Sequence, residues 1–147
     1  MMTPSLNADP RVAAVIAFFE HLQPADVAAL GQLYTDQAFF KDPFNEVHDL
    51  AGVRRVFGHM FESLDAPRFK VLDALVQDQQ CFLSWDFMFQ LQGQSLERRI
   101  HGSSHLRFGA DGRIAYHRDY WDAAEEVYEK VPLLGGLLRW IKRRLQV

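Results

Sequence analysis

Apolar residues recur at helical spacing near both ends of the chain and at strand spacing between them. Residues 11 to 22 place Val12, Val15, Ile16, Phe19 and Leu22 on one side of a helix that Pro24 stops. Asp26 is suited to cap a second helix, whose apolar stripe is Val27, Leu30, Leu33 and Tyr34. Residues 38 to 41 (AFFK) predict a brief strand that ends at Asp42-Pro43, because a residue before Pro is pushed out of the helical region. A third helix is expected from Leu50 to Leu64, with Val53, Val56, Phe57, Met60, Phe61 and Leu64 facing inward.

From Pro67 the period changes. RFKVLDALVQ, CFLSWDFMFQL, ERRIHGSSHLRF and GRIAYHRDYWD predict four strands, separated by turn residues in QDQ, QGQS and GADG. Short turns between long consecutive strands imply an antiparallel meander. The second of these strands is apolar on both faces through Leu83, Trp85, Phe87, Met88 and Phe89, so both faces are expected to be covered. Ala123 to Leu145 predicts a helical extension broken near Pro132 and Gly135-Gly136. Leu134, Leu137, Leu138, Ile141 and Leu145 form one stripe of its last helix, and Arg139, Lys142, Arg143 and Arg144 form the opposite face. That helix either closes the end of the domain or packs on a partner subunit, or it lies on anionic lipid.

Composition narrows the class. The 147 residues fit a single domain with a real core, preceded by a flexible tail over residues 1 to 9. Twelve Phe and 13% aromatic residues are more than a surface needs and imply an aromatic-lined interior. The net charge of −3 offers no attraction to phosphate backbones, which excludes nucleic acid as a general partner. Cys81 is the only cysteine, so there is no intramolecular disulfide framework, and a reducing, cytoplasmic setting is expected. No apolar run approaches the roughly 20 residues of a spanning helix. Gly-rich phosphate loops, GxSxG and CxxC are absent from the sequence. His101 and His105, four apart on one strand, stand about 13 Å apart and cannot share an ion, so no metal and no other cofactor is expected.

The order of these elements, with a short strand ending in KDP and a meander ending in HRDYWD, resembles the nuclear transport factor 2-like superfamily. Within it the chain is similar to the SnoaL-like, ketosteroid isomerase-like and limonene epoxide hydrolase-like branch over residues 10 to 122. The resemblance implies an α+β, cone-shaped fold. Three N-terminal helices would pack on a curved, mainly antiparallel sheet of four to six strands, with a C-terminal helix added. It also implies a deep apolar pocket and a homodimer formed through the sheet.

The resemblance carries candidate chemistry onto particular residues. Asp42 matches the position of the isomerases' general base, a carboxylate that moves a proton next to a carbonyl. Phe18 and Ser104 stand where those enzymes carry their oxyanion donors, and neither replaces the pair. Asp119 matches one aspartate of the epoxide hydrolases' Asp-Arg-Asp triad and Asp86 could be the second acid; the arginine position falls near Ser84, and the water-holding residues near Phe40 and Asp42. On a strand, His117 and Asp119 point to one face about 7 Å apart, where one substrate could touch both. Asp42, His117 and Asp119 are thus the candidate catalytic groups. Phe18, Tyr34, Phe40, Asp86, Met88, Ser104 and Trp121 are the candidate pocket walls.

Together these imply a cofactor-independent acid–base enzyme, an isomerase or cyclase, acting on a small hydrophobic carbonyl compound. The alternatives are a non-catalytic binder of an apolar metabolite or lipid, an epoxide hydrolase-like enzyme, and a scaffold whose interior is packed shut.

Overall fold

The computed structural model describes residues 8–146. Residues 1–7 of the expected tail lie outside the described residues. Asp9, assigned to that tail from sequence, instead begins the fold. Its carboxylate accepts a hydrogen bond from the Arg11 backbone N–H (2.8 Å) and pairs with the Arg11 guanidinium (2.9 Å). This caps α1 (Pro10–Glu20) and holds the Asp9 carboxyl down at about 2, chiefly through the hydrogen bond from Arg11. The inner side of α1, Val12, Val15, Ile16 and Phe19, is buried.

The segment after Pro24 departs from the sequence expectation. It is a 3-10 helix, Pro24–Gln32, in which Asp26 lies inside the first turn and accepts from the Gln23 N–H (2.8 Å). Tyr34 does not continue it. The Leu33 carbonyl accepts from the Ile114 N–H (2.8 Å), and this pulls Tyr34 into a parallel ladder. Strand β1 therefore runs Tyr34–Lys41, four residues longer at its start than expected, and ends before Asp42-Pro43 as predicted. A two-residue strand, β2 (Glu46–Val47), folds back on it. Helix α2 (Leu50–Ser63) is capped by Asp49, which accepts from the Gly52 N–H (2.7 Å).

The four strands of the meander are β3 (Leu64–Gln77), β4 (Gln80–Leu91), β5 (Glu97–Phe108) and β6 (Ile114–Tyr120). The sheet order is β2-β1-β6-β5-β4-β3, antiparallel throughout except where β1 lies parallel to β6. Bulges bend β3 between Asp65 and Arg68 and between Val71 and Asp73. The β5–β6 turn needs the left-handed backbone of Gly112 (φ 82), so its glycine is there for conformation.

Helices α1 and α2 cover one face of the sheet, with Phe19, Phe57, Val71, Leu83, Trp85 and Leu106 among the residues buried between. Within the single chain the helices cover only one face of β4. Cys81, Leu83, Trp85 and Phe89 point inward, whereas Phe82 on the other face is 51% exposed beside exposed Leu75. Among the described residues no element packs over that outer face, so strand parity decides burial within the chain.

Trp85 lies against Gly102, its partner across the β4–β5 ladder. A Cβ on Gly102 would come within 2.6 Å of the indole. Gly102→Ala is expected to destabilise the fold by about 1–3 kcal/mol, because the buried indole must leave its place. Urea unfolding monitored by tryptophan fluorescence measures this; an unchanged midpoint would show that the indole yields freely.

After β6 come a short helix α3 (Ala123–Glu126), a 3-10 turn (Tyr128–Lys130) and helix α4 (Leu134–Leu145). Contacts of α4 concentrate on the Tyr128–Lys130 turn, so this helix does not close the core. Among the described residues no helix is long and apolar enough to cross a membrane.

Candidate functional site

β1, β5 and β6 are neighbours, and their inward side chains meet under α1 and α2. His117, buried at 4% exposure, lies with Phe40 against its ring (centroids 4.7 Å apart) and Phe19 edge-on at 6.0 Å. The Tyr34 hydroxyl is 2.7 Å from His117 Nδ1, and His117 Nε2 is 2.6 Å from Asp119 Oδ1. The Ser104 hydroxyl donates to the same Asp119 oxygen at 2.5 Å, and the Trp85 indole N–H donates to Ser104 Oγ at 2.8 Å. Burial, with the Asp119 charge nearby, drives the Tyr34 phenol well above its ordinary pKa, so it stays protonated. In the tautomer that carries its proton on Nε2, His117 donates to Asp119 while Nδ1 accepts from the Tyr34 hydroxyl. Every hydrogen bond in this chain then points toward one carboxylate oxygen.

Asp119 sits at a boundary. Its side chain is 17% exposed, against 5% for His117, and its Oδ2 accepts none of the hydrogen bonds that bind Oδ1. On the inner side it lines a cavity of about 30 Å³ with Phe19, Phe57, Phe69, Val71, Leu83, Trp85, Ser104, Leu106 and His117. That space suits about one or two waters. On the outer side Asp119 lines an open cleft of about 600 Å³, walled by residues 41–46 and 118–121. The deep apolar pocket expected from sequence is thus mostly filled here by its own aromatic side chains, and the roomy space lies outside Asp119.

Four sequence candidates, Tyr34, Ser104, His117 and Asp119, come together in the hydrogen-bonded chain, and Phe40 packs against it. The others lie elsewhere. Phe18 packs edge-on against Phe19 (5.8 Å) and is not in the cavity wall. Asp86 is on the outer face, 2.9 Å from His101 Nδ1 and 3.7 Å from Arg99, because alternate residues of β4 face opposite ways. Met88 shares that parity and is likewise outside the cavity wall, so neither joins Asp119 and the Asp-Arg-Asp triad is not assembled. Trp121 stands in the cleft wall against Phe44 (5.5 Å).

Asp42 also lines the cleft, but its carboxylate is engaged. Oδ1 accepts from the N–H groups of Phe44 (2.7 Å) and Asn45 (2.6 Å), and the Asn45 side-chain amide reaches both oxygens at 3.1 Å. This is an Asx turn that shapes the β1–β2 connection. Sequence reasoning missed Trp85. Its only sequence signal is its shared parity with Leu83 on β4; that its N–H meets Ser104 follows from the β4–β5 register.

An open sheet of this order, bent around helices on one face, is the cone-shaped nuclear transport factor 2-like fold. Residues 15–117 match the model of the SnoaL-like domain, and the chain belongs to that family. No curated protein matches the sequence. Among solved structures, the chain is similar to a hypothetical protein with a ketosteroid isomerase-like fold from Catenulispora acidiphila, in complex with trimethylamine. The two are 14% identical with a TM-score of 0.68, over 86% of this chain and 92% of that one. A limonene epoxide hydrolase-like enzyme of M. tuberculosis is 18% identical with a TM-score of 0.67, covering 90% and 96%. TerC, co-crystallised with polyporic acid, is 13% identical with a TM-score of 0.68, covering 80% and 95%. At such identities the likeness is one of fold.

Proposed function

We propose that this chain is a cofactor-independent acid–base enzyme of isomerase or cyclase type, acting on a small hydrophobic carbonyl compound with Asp119 as the proton acceptor. The observation that carries this is the position of Asp119. One of its oxygens is held from within by His117 and Ser104, while the carboxylate itself borders a cleft large enough for a ligand. Two donors on Oδ1 orient the carboxylate and leave Oδ2 to take a proton from carbon next to the substrate carbonyl, after which the same oxygen returns it elsewhere. His117 and Tyr34 are then positioning residues, and Asp42 forms the cleft wall. Trimethylamine and polyporic acid in structural relatives support a small organic ligand.

A second reading, a binder without turnover, has its own support. The Ser104 hydroxyl is spent on Asp119, and so it does not serve as a donor for a developing enolate oxygen. The two are separated by incubating the protein with cyclic and aryl ketones in D₂O and following the α-protons by NMR. Protein-dependent deuterium incorporation is the expected result. Binding without exchange would favour the binder, and neither binding nor exchange across the panel would overturn both.

The outer sheet face, with exposed Leu75, Phe82 and Tyr120 and with His105 stacked on Phe82 at 4.3 Å, supports a homodimer formed through the sheet. The buried Cys81 thiol, pushed up to about 11 by burial, suits a reducing cytoplasm.

A further inference from the structure

Helix α4 is amphipathic, and among the described residues most of its apolar side is uncovered, Leu138 alone being half-buried. At 100° per residue Leu134, Leu137, Leu138, Ile141 and Leu145 fall within about one third of its circumference. In the structure Leu137 is 53% exposed, Ile141 41% and Leu145 79%, and Trp140 beside them is 48% exposed. Leu133, immediately before the helix, is also exposed. The polar residues are all of one sign. Residues 131–147 contain Arg139, Lys142, Arg143 and Arg144 and no acidic residue, on a chain whose net charge is −3.

The placement of these charges selects the occupant. Lys142 and Arg144 flank the leucine stripe on its two sides, while Arg139 and Arg143 stand opposite. Flanking cations with long stems suit a helix lying in the plane of a bilayer, with the stripe among acyl chains and the ammonium and guanidinium groups at the phosphates. Trp140, with the Arg144 guanidinium 4.9 Å from its ring, occupies the border between the two regions, where tryptophan is favoured. A second copy of the helix laid on this stripe would instead bring like charges together along both edges.

We propose that α4 is a peripheral anchor that docks the protein on an anionic lipid bilayer. The test is co-sedimentation of the full chain with vesicles of phosphatidylcholine alone and of phosphatidylcholine mixed with phosphatidylglycerol. Binding to the mixed vesicles is expected to be on the order of tenfold tighter or more, and to weaken as salt is raised. The double reversal Lys142→Glu/Arg144→Glu is expected to weaken binding to the mixed vesicles by about tenfold or more. Ile141→Asp, which keeps every cation, is expected to abolish it, and Leu96→Asp, at an exposed leucine of the β4–β5 connection, is expected to leave it unchanged. Equal affinity for both vesicles, no binding to either, or binding indifferent to both α4 variants would overturn the proposal. So would Ile141→Asp dissociating an oligomer of a parent chain that ignores vesicles, since α4 would then be a protein interface.

Discussion

Asp119→Asn is expected to lower turnover by about 10²–10⁴-fold while the protein stays folded. The exchange is close to isosteric. An Asn side chain keeps an oxygen to accept from His117 Nε2 and Ser104 Oγ, now 2.6 and 2.5 Å from Asp119 Oδ1, and only the group facing the cleft ceases to be basic. Far-UV circular dichroism and a urea midpoint close to the parent's would show that the loss is chemical. Asp42→Asn is the matched control. Its carboxylate accepts bonds from Phe44 and Asn45 in a turn, so this variant is expected to retain turnover. Retained activity in Asp119→Asn, or a greater loss in Asp42→Asn, would move the proton acceptor out of the site described here.

Phe40→Ala is expected to produce the largest loss of stability, about 3–5 kcal/mol. Phe40 is 2% exposed, and its ring lies 5.8 Å from Phe57 and 4.7 Å from His117. Truncation would leave a void between β1 and α2 that neither the sheet nor the helix can close, in a domain whose total stability is of order 5–15 kcal/mol. The urea midpoint is expected to fall without a change in slope. Phe44→Ala, at an exposed ring in the cleft wall, is expected to change stability by no more than about 0.5 kcal/mol. Similar losses for the two would contradict the packing described here.

Much of the architecture was legible in the sequence. The helices α1 and α2 show one-sided apolar spacing, and turn residues mark all three hairpins of the meander, although β3 begins at Leu64, directly after α2 and ahead of the expected boundary at Pro67. Elsewhere the local pattern was ambiguous for physical reasons. Leu30, Leu33 and Tyr34 fit a continued helical stripe, yet pairing with β6, eighty residues away in sequence, claims Tyr34 for a strand. β2 has two residues and no periodicity to detect.

The site was half legible for a related reason. His117 and Asp119 share one face of β6 by parity alone, so their pairing followed from spacing. Asp86 shares the mostly polar parity of β4 with Gln80, Ser84 and Gln90, while Cys81, Leu83, Trp85, Phe87 and Phe89 are all apolar, so the alternation itself points Asp86 outward; only the two apolar exceptions, Phe82 and Met88, blur it. Asp42-Pro43 reads both as a turn and, through the resemblance, as a catalytic position, and the structure shows its carboxylate accepting the hydrogen bonds of the turn. Trp85's link to Ser104 depends on the β4–β5 register, which no single strand encodes.

The parallel pairing of β1 with β6 bears on how the molecule assembles. β3 to β6 can zip through successive hairpins, each closing a loop of only a few residues. The Tyr34–His117 bond instead spans 83 residues of chain. Loop-closure entropy rises by about 0.6 kcal/mol per doubling of loop length, so this contact has the least to gain from forming early. The hydrogen-bonded chain behind Asp119 is therefore completed only when the first strand docks on the last, and a chain that has merely formed its meander holds Asp119 without the phenol that fixes the histidine behind it.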